Sequence, residues 1–366
     1  MKWNGSKLRE LAREKDLKLK KIAASVGVSR QTVNDWIKGQ IPKGNHLILL
    51  CQIFQVSPGS FFHDDSSSFI TVPVHRARMG AKVTVSMQKD AVSLAKEYLN
   101  LFRNFKSPAV VQQVRSTERN RDNARKVAKK LRQLSGISKG TPIDYEHAFK
   151  LAEHLGINLI FRTFPEKIKS YAFYTKIYGH RIVFVNNATS IIDLVFPLLH
   201  EFVHATRDDI EMGGEYEDVE DRFCDDVANF IQFPEEYVEI VYEAIKGLGP
   251  PHKIKVLKVN ACLYKHSLYG MVKAIQNIHP SFNLSVGAAD TNLRKAFPDV
   301  GTIMINGDEP RRYVQRLFEL SKNFMNVIAE QIDHTSDRRL AEILDIENSL
   351  DAKEVKYEIK KSFTPE

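Results

Sequence analysis

Apolar residues recur at helical spacing near the amino end of the chain, in two short stretches separated by a glycine. The positions predicted to face inward are Ile22, Val26, Val28, Val33 and Trp36. Ala23 is small where two helices would cross, and Gly27 can adopt the positive φ of a tight turn. The pattern predicts a helix-turn-helix over residues 1–63, with its second helix from Ser29 to Lys38.

The rest of the chain shows helical patterns interrupted by a few short apolar stretches. We expect a helix from about Ser86 to Phe105, and strands at Asn158–Thr163, Tyr171–Lys176 and Arg181–Asn186. The acidic and serine-rich run at residues 64–68 is typical of a linker. The fold class predicted from these patterns is α+β, mainly α with one small β-sheet, and with an all-α N-terminal domain.

The most informative motif follows an apolar run at residues 194–199. It is His200-Glu201-Phe202-Val203-His204, an HExxH sequence. Residues four apart share one face of a helix, so both imidazoles can bind one metal ion. Glu201 can then take a proton from a metal-bound water, which is the arrangement of zinc-dependent peptidases. The motif alone is only moderately specific, because a helix with two partly exposed histidines also fits it.

A catalytic zinc site needs a third protein ligand. Helical spacing predicts a second amphipathic helix after the motif, with its apolar face formed by Phe223, Val227, Phe230 and Ile231. Glu220 and Asp221 both lie on this helix, and helical phase does not separate them as candidate ligands. Residues 208–226 contain ten acidic residues and one arginine. Such a run is usually a solvated loop, and here it would also concentrate cations near the ligands.

Three segments together resemble the ImmA/IrrE metallopeptidases. The sequence FPLLHEFVHA at residues 196–205 is similar to the family's metal-binding helix, and DRFCDDVA at 221–228, followed by Pro234, is similar to its next helix. The sequence IVFVN at residues 182–186 is similar to a strand of the family. The resemblance covers roughly residues 120–240.

The resemblance implies a zincin-like fold and a site made by residues of both helices. His200, His204 and Asp221 would bind Zn²⁺, and Glu201 would be the catalytic general base. The family has Glu where this chain has Asp221, and Leu-Gly where it has Phe202-Val203. Because the aspartate side chain is shorter, its helix must lie closer to the histidines, or Glu220 takes its place as the fallback ligand.

The N-terminal pattern, continued by the helix at residues 47–54, resembles the Cro/lambda-repressor-like (XRE) domains over residues 5–63. In such domains the second helix lies in the major groove of operator DNA. The resemblance and side-chain chemistry predict contacts with base edges by Arg30, Gln31, Asn34 and Asp35. Contacts with phosphates are expected from Ser29, Thr32, Lys38 and Lys43.

The net charge of +8 is concentrated in two regions. Residues 1–44 contain eleven Lys and Arg against four Asp and Glu, the sign that a phosphate-facing domain needs. Residues 104–139 contain ten basic residues against two acidic ones. We expect this second run to be an exposed helical face; an auxiliary DNA contact is the alternative.

Composition favours a cytoplasmic protein. The three cysteines are widely spaced and form no CxxC pair, as expected in a reducing compartment without a structural zinc site. No apolar run approaches the roughly 20 residues of a membrane span, and the amino end does not resemble a signal peptide. We therefore expect no membrane partner.

These patterns divide the chain into four predicted segments. They are an XRE-type DNA-binding domain (1–63), a linker and helical connector (64–115), an ImmA/IrrE-like peptidase core (116–245) and a helical C-terminal region of unknown role (246–366). The predicted function is a DNA-binding regulator with a zinc endopeptidase domain, acting on stress, prophage or mobile-element genes. Its expected partners are operator DNA, a repressor-type protein substrate and a second copy of the chain.

The substrate would be the chain itself, a sister copy or a separate repressor. Self-cleavage would be easiest at residues 64–68, since a protease needs a locally unfolded strand. One alternative is a transcription factor whose metallopeptidase-like domain only senses a ligand or partner. Another is that the helix-turn-helix recruits the protease to repressors bound at an operator.

Overall fold

The chain forms two compact units, Met1–Phe69 and Ile70–Glu366. A computed structural model describes residues 2–3, 5–15, 17–56, 58–63, 74–77, 84–103, 105, 118–207, 217–304 and 309–363. The linker at residues 64–68, residues 208–216 of the acidic run and Arg115 of the second basic run lie outside these residues.

The N-terminal unit is built from four short helices. They are α1 (Gly5–Glu14), α2 (Leu19–Val26), α3 (Arg30–Ile37) and α4 (Gly44–Phe54), followed by a 3₁₀ turn at Pro58–Phe61. The predicted inner residues of α2 and α3 are buried or half-buried. In addition to these helices, strands β1 (Lys2–Trp3) and β2 (Phe62–His63) pair antiparallel, a feature that the apolar pattern did not predict.

Two glycines are required by the geometry of this unit. Gly27 ends α2 with a φ of +73°, as expected for the turn between the two helices. Gly5 begins α1 against the end of α3, where an added Cβ would lie 2.3 Å from the carbonyl oxygen of Ile37. Next to it, the indole Nε1 of Trp3 donates to the carbonyl oxygen of Trp36 at 2.6 Å. Trp3 and Gly5 therefore pack closely against the C-terminal end of α3.

The second unit contains a four-stranded sheet in the order β3-β5-β6-β4. Its strands are β3 (Val74–Ala77), β4 (Asn158–Arg162), β5 (Ser170–Ile177) and β6 (His180–Asn186). β4 pairs parallel with β6, and the other two pairings are antiparallel. Tyr178 and Gly179 both have positive φ in the two-residue turn between β5 and β6, as a tight hairpin requires.

Helices surround this sheet. Those between residues 85 and 245 are α5 (Val85–Lys96), α6 (Leu99–Phe102), α7 (Arg121–Leu134), α8 (Tyr145–His154), α9 (Ile191–Arg207), α10 (Glu217–Gln232) and α11 (Glu235–Ile245). The later ones are α12 (Pro250–Tyr264), α13 (Leu268–Ile278), α14 (Gly287–Arg294), α15 (Val300–Met304), α16 (Pro310–Leu320), α17 (Lys322–Gln331), α18 (Asp337–Leu344) and α19 (Ser349–Phe363), with a 3₁₀ turn at Ile332–His334.

The predicted connector and C-terminal region are not separate segments. Tyr98, between α5 and α6, is fully buried, and its hydroxyl donates to the carbonyl oxygen of Ile343 in α18 at 2.9 Å. Its ring also packs against Phe184 of the sheet and Phe324 of α17. One apolar core therefore joins the connector helix, the sheet and the C-terminal helices, and this core replaces the predicted division at residues 115 and 245.

Lys265 has a φ of +53° and separates α12 from α13. In the last helix, α19, Ala352, Val355 and Ile359 are buried, because they recur at helical spacing on one face. Within the described part of the chain, no helix is long and apolar enough to cross a membrane.

Candidate functional site

The HExxH motif lies in α9, the helix that packs against both β5 and α10. The apolar run before the motif is buried except for Phe196, which is partly buried, and this burial fixes the helix in the core. His200 and His204 are one turn apart, with ring centroids separated by 4.6 Å. The fold therefore presents both imidazoles toward the neighbouring helix.

Helix α10 brings Asp221 to the two histidines. Its Oδ1 lies 3.2 Å from Nε2 of His200 and 3.4 Å from Nε2 of His204, and the two Nε2 atoms are 3.0 Å apart. In a tetrahedral zinc site with bonds of about 2.0–2.1 Å, ligand atoms lie about 3.3 Å apart. The three side chains thus form a triangle of the size that a zinc ion requires. Among the residues that the structure describes, these three form the group whose ligand atoms lie close enough together to hold a metal ion.

Each side of this triangle needs a proton or a cation between its two atoms, because two lone pairs facing each other repel. Burial by itself would raise the pKa of the Asp221 carboxyl, but hydrogen bonds from His200 and His204 outweigh it and hold the pKa well below its usual range. The carboxylate is therefore ionised. A metal ion bound here would take the place of the protons on the histidine nitrogens.

Asp225 holds the ring of His200 from the other side. Its Oδ1 accepts a hydrogen bond from Nδ1 at 2.8 Å, which directs Nε2 toward Asp221. A carboxylate partner of this kind fixes the orientation of a metal-binding histidine and raises its basicity. Asp225 stands one helical turn after Asp221, so the spacing in the sequence contained the signal for this role.

Cys224 lies beside the second histidine. Its Sγ is 3.6 Å from Nδ1 of His204, the nitrogen opposite the one that faces Asp221. Burial raises the pKa of this thiol well above its usual value, so the side chain is neutral. Cys224 is therefore a packing neighbour of the histidine rather than a fourth ligand.

Glu201 is completely buried between α9 and the sheet. Its Oε2 accepts a hydrogen bond from the backbone N–H of Tyr174 in β5 at 3.1 Å. The contact ties the carboxylate of the HExxH motif to the strand next to it. The role of Glu201 as a general base stays a prediction.

Glu220, the fallback ligand, does not join the histidines. Its carboxylate is bound by the guanidinium of Arg207, which is equally buried, and by Nε of Arg119 at 2.5 Å. Burial alone would raise the pKa of Glu220, but hydrogen bonds from the two arginines outweigh it and keep the pKa below its usual value. The structure therefore separates two adjacent carboxylates that helical phase could not: Asp221 faces the histidines, and Glu220 faces an internal ion pair.

The predicted DNA-reading side chains lie on α3. Arg30 and Gln31 are exposed, whereas Asn34 and Asp35 are partly buried. Lys38, which was expected near phosphates, is exposed directly after the helix. The side-chain amide of Gln31 donates to Oδ1 of Asp35 at 2.9 Å, so these two residues present their polar groups as a pair. Base contacts by these residues stay a prediction.

Ser29 and Thr32 form the N-terminal cap of α3. The Oγ of Ser29 accepts from the backbone N–H of Thr32 at 3.0 Å, and their hydroxyls lie 2.9 Å apart. The cap stabilises the first turn of the helix. Lys43, the fourth residue expected near phosphates, is exposed at the start of α4.

The second basic run is partly internal. In α7, Lys126, Lys129 and Lys130 are exposed as expected. Arg132 is buried and donates to the carbonyl oxygens of Ile231 and Thr141, and the other arginines of the run that the structure describes also have protein partners. The exposed charge is therefore smaller than the sequence count indicates.

Comparison with known families agrees with the geometry of the N-terminal unit. A family model described as helix-turn-helix matches residues 8–61. The N-terminal unit is a DNA-binding helix-turn-helix domain. The chain accordingly carries the DNA-binding module of a transcription regulator. No curated protein matches the chain.

Proposed function

We propose that the second unit of this DNA-binding regulator is a zinc-dependent endopeptidase that cleaves a repressor-type protein. The observation that carries the proposal is the triangle of His200, His204 and Asp221, because its sides of 3.0, 3.2 and 3.4 Å match a zinc site. Within the HExxH motif, Glu201 directly follows His200 and supplies a carboxylate. Asp221 is half-exposed, which leaves room for water and substrate.

Different residues of the chain would have different roles in peptide hydrolysis. Zn²⁺ held by His200, His204 and Asp221 would supply Lewis-acid chemistry to the peptide carbonyl and would lower the pKa of a water at the site. Glu201 would accept the proton of the attacking water and later give it to the leaving amine. Asp225 orients His200. The helix-turn-helix domain directs the chain to its operator, and cleavage of the repressor releases the genes under its control.

Mapping of new protein N-termini in cells tests the proposal. Cells that express the wild-type chain are compared with cells that express Glu201→Gln, which is nearly isosteric and removes the base. An exposed glutamate on α11, changed by Glu236→Gln, is the matched control. We expect new N-termini within a helix-turn-helix protein, or within this chain, for wild type and Glu236→Gln only. Identical N-termini in all three strains would contradict a peptidase.

A second candidate function is a regulator whose metal-binding unit senses a ligand or partner without hydrolysis. The observation that favours it is the hydrogen bond that holds the Glu201 carboxylate against Tyr174. In this case Glu201→Gln should keep both zinc and regulation of the target promoter. A reporter gene under that promoter separates the two functions, because the peptidase proposal predicts loss of induction.

A further inference from the structure

The strand that lies next to the HExxH helix is paired on both of its edges. On one side β5 pairs with β6 without interruption from Ala172 to Ile177. On the other side it pairs with β3, the strand Val74–Ala77, which belongs to the connector after the DNA-binding unit. The register joins Val74 to Tyr174, His75 to Phe173 and Ala77 to Ser170.

This pairing places the connector beside the candidate catalytic carboxylate. The backbone N–H of Tyr174 donates to Glu201, and the register partner of Tyr174 is Val74. Helix α9, which contains the HExxH motif, also contacts β3 directly. The backbone of β3 therefore runs along the sheet edge closest to Glu201.

We propose that this edge of β5 is the substrate-binding surface of the second unit, and that β3 is its resting occupant. The inference rests on the proposed peptidase function. An extended polypeptide can add to an exposed strand through main-chain hydrogen bonds, and here it would run antiparallel to β5, as β3 does. The substrate must displace β3 before it reaches the site, so the resting chain is autoinhibited.

The pairing of β3 is suited to exchange. Its register with β5 is irregular between His75 and Ala77, whereas the pairing of β6 with β5 is continuous. A tether to the same chain keeps a strand at an effective concentration of up to about millimolar. A free segment of similar sequence therefore competes poorly, and a protein substrate needs additional contacts outside this edge.

The first test measures binding of a labelled peptide with the sequence of residues 70–79 by fluorescence anisotropy, without zinc. His75→Pro with Ala77→Pro removes two N–H donors from β3, and proline is poorly tolerated within a paired strand. We expect the proline variant to bind the peptide at least tenfold more tightly than wild type. Equal binding by the two proteins would overturn the proposal. Because this readout needs neither metal nor hydrolysis, it stays informative if the unit has no peptidase activity.

The second test locks the strand in place and does not depend on the proline variant folding. Ala77→Cys with Ser170→Cys joins two register partners, in a chain whose accessible cysteines are removed by Cys51→Ser and Cys262→Ser. The matched control is a disulfide between β5 and β6, made by Lys176→Cys with Arg181→Cys.

We expect the oxidised β3 lock to reduce cleavage of a protein substrate at least tenfold, and reduction with dithiothreitol to restore it. The β5–β6 lock should have no effect. Full activity of the oxidised β3 lock would overturn the proposal. Cleavage of the wild-type chain within residues 70–83 on addition of zinc would also overturn it, since β3 would then be a substrate and not an inhibitor.

Discussion

The change Glu220→Gln distinguishes the two adjacent carboxylates of α10 most sharply. The side chains of Glu220 and Arg207 are each only 1% exposed, and they form an ion pair. Glutamine has nearly the same shape but leaves the guanidinium of Arg207 buried without its counter-charge. Removing one partner of a buried pair costs about 3–5 kcal/mol. We therefore expect the second unit to lose roughly this much free energy of unfolding.

Urea unfolding of the metal-free protein measures the effect unit by unit. The two tryptophans of the chain, Trp3 and Trp36, both lie in the N-terminal unit, so their fluorescence reports its unfolding alone. Circular dichroism reports both units. Glu220→Gln should shift the circular dichroism transition of the second unit and leave the tryptophan transition unchanged.

Asp221→Asn is the matched control. Its side chain is 52% exposed, so the metal-free protein should change in stability by less than about 1 kcal/mol. The zinc content should show the opposite pattern, with loss in Asp221→Asn and retention in Glu220→Gln. A Glu220→Gln protein that is as stable as wild type and has lost its zinc would contradict this assignment, since Glu220 would then be the ligand.

Asp225→Ala should weaken zinc binding about 10- to 100-fold in a chelator competition, because His200 loses its orienting partner, while Asp226→Ala should not. Burial lowers the pKa of His266 to about 4. Between pH 6.5 and pH 4, this histidine is therefore protonated in the unfolded chain and neutral in the folded chain. Between pH 6.5 and pH 4 this should cost the second unit about 3 kcal/mol in urea unfolding, and His266→Gln should lack that pH-dependent loss. Gly5→Ala should destabilise the N-terminal unit by about 1–3 kcal/mol by tryptophan fluorescence, because the new Cβ meets the backbone of Ile37; an unchanged midpoint would contradict the close approach.

Local patterns predicted much of what the structure contains. Helical spacing located α2, α3 and α10, the HExxH motif located α9, and short apolar stretches located β4, β5 and β6 within one or two residues. The triangle of His200, His204 and Asp221 could also be predicted, since two of these candidate ligands belong to one motif and the third lies on the next helix. These features depend on periodicity over a few residues, which the sequence displays directly.

The remaining features depend on contacts between distant parts of the chain. Glu220 and Asp221 were equivalent by helical phase, and the choice between them is made by Arg207 and by Arg119, about a hundred residues earlier. The pairing of β3 with β5 likewise joins segments nearly a hundred residues apart. Tyr98 joins the connector to α18 across an even greater separation. No local pattern encodes partners of this kind.

The most direct test of the metal site is the zinc content per chain, measured by elemental mass spectrometry on freshly purified protein. The geometry predicts close to one zinc in wild type, close to one in Glu220→Gln and almost none in Asp221→Ala. Wild-type protein that holds no tightly bound metal would contradict the zinc site and, with it, the proposed peptidase.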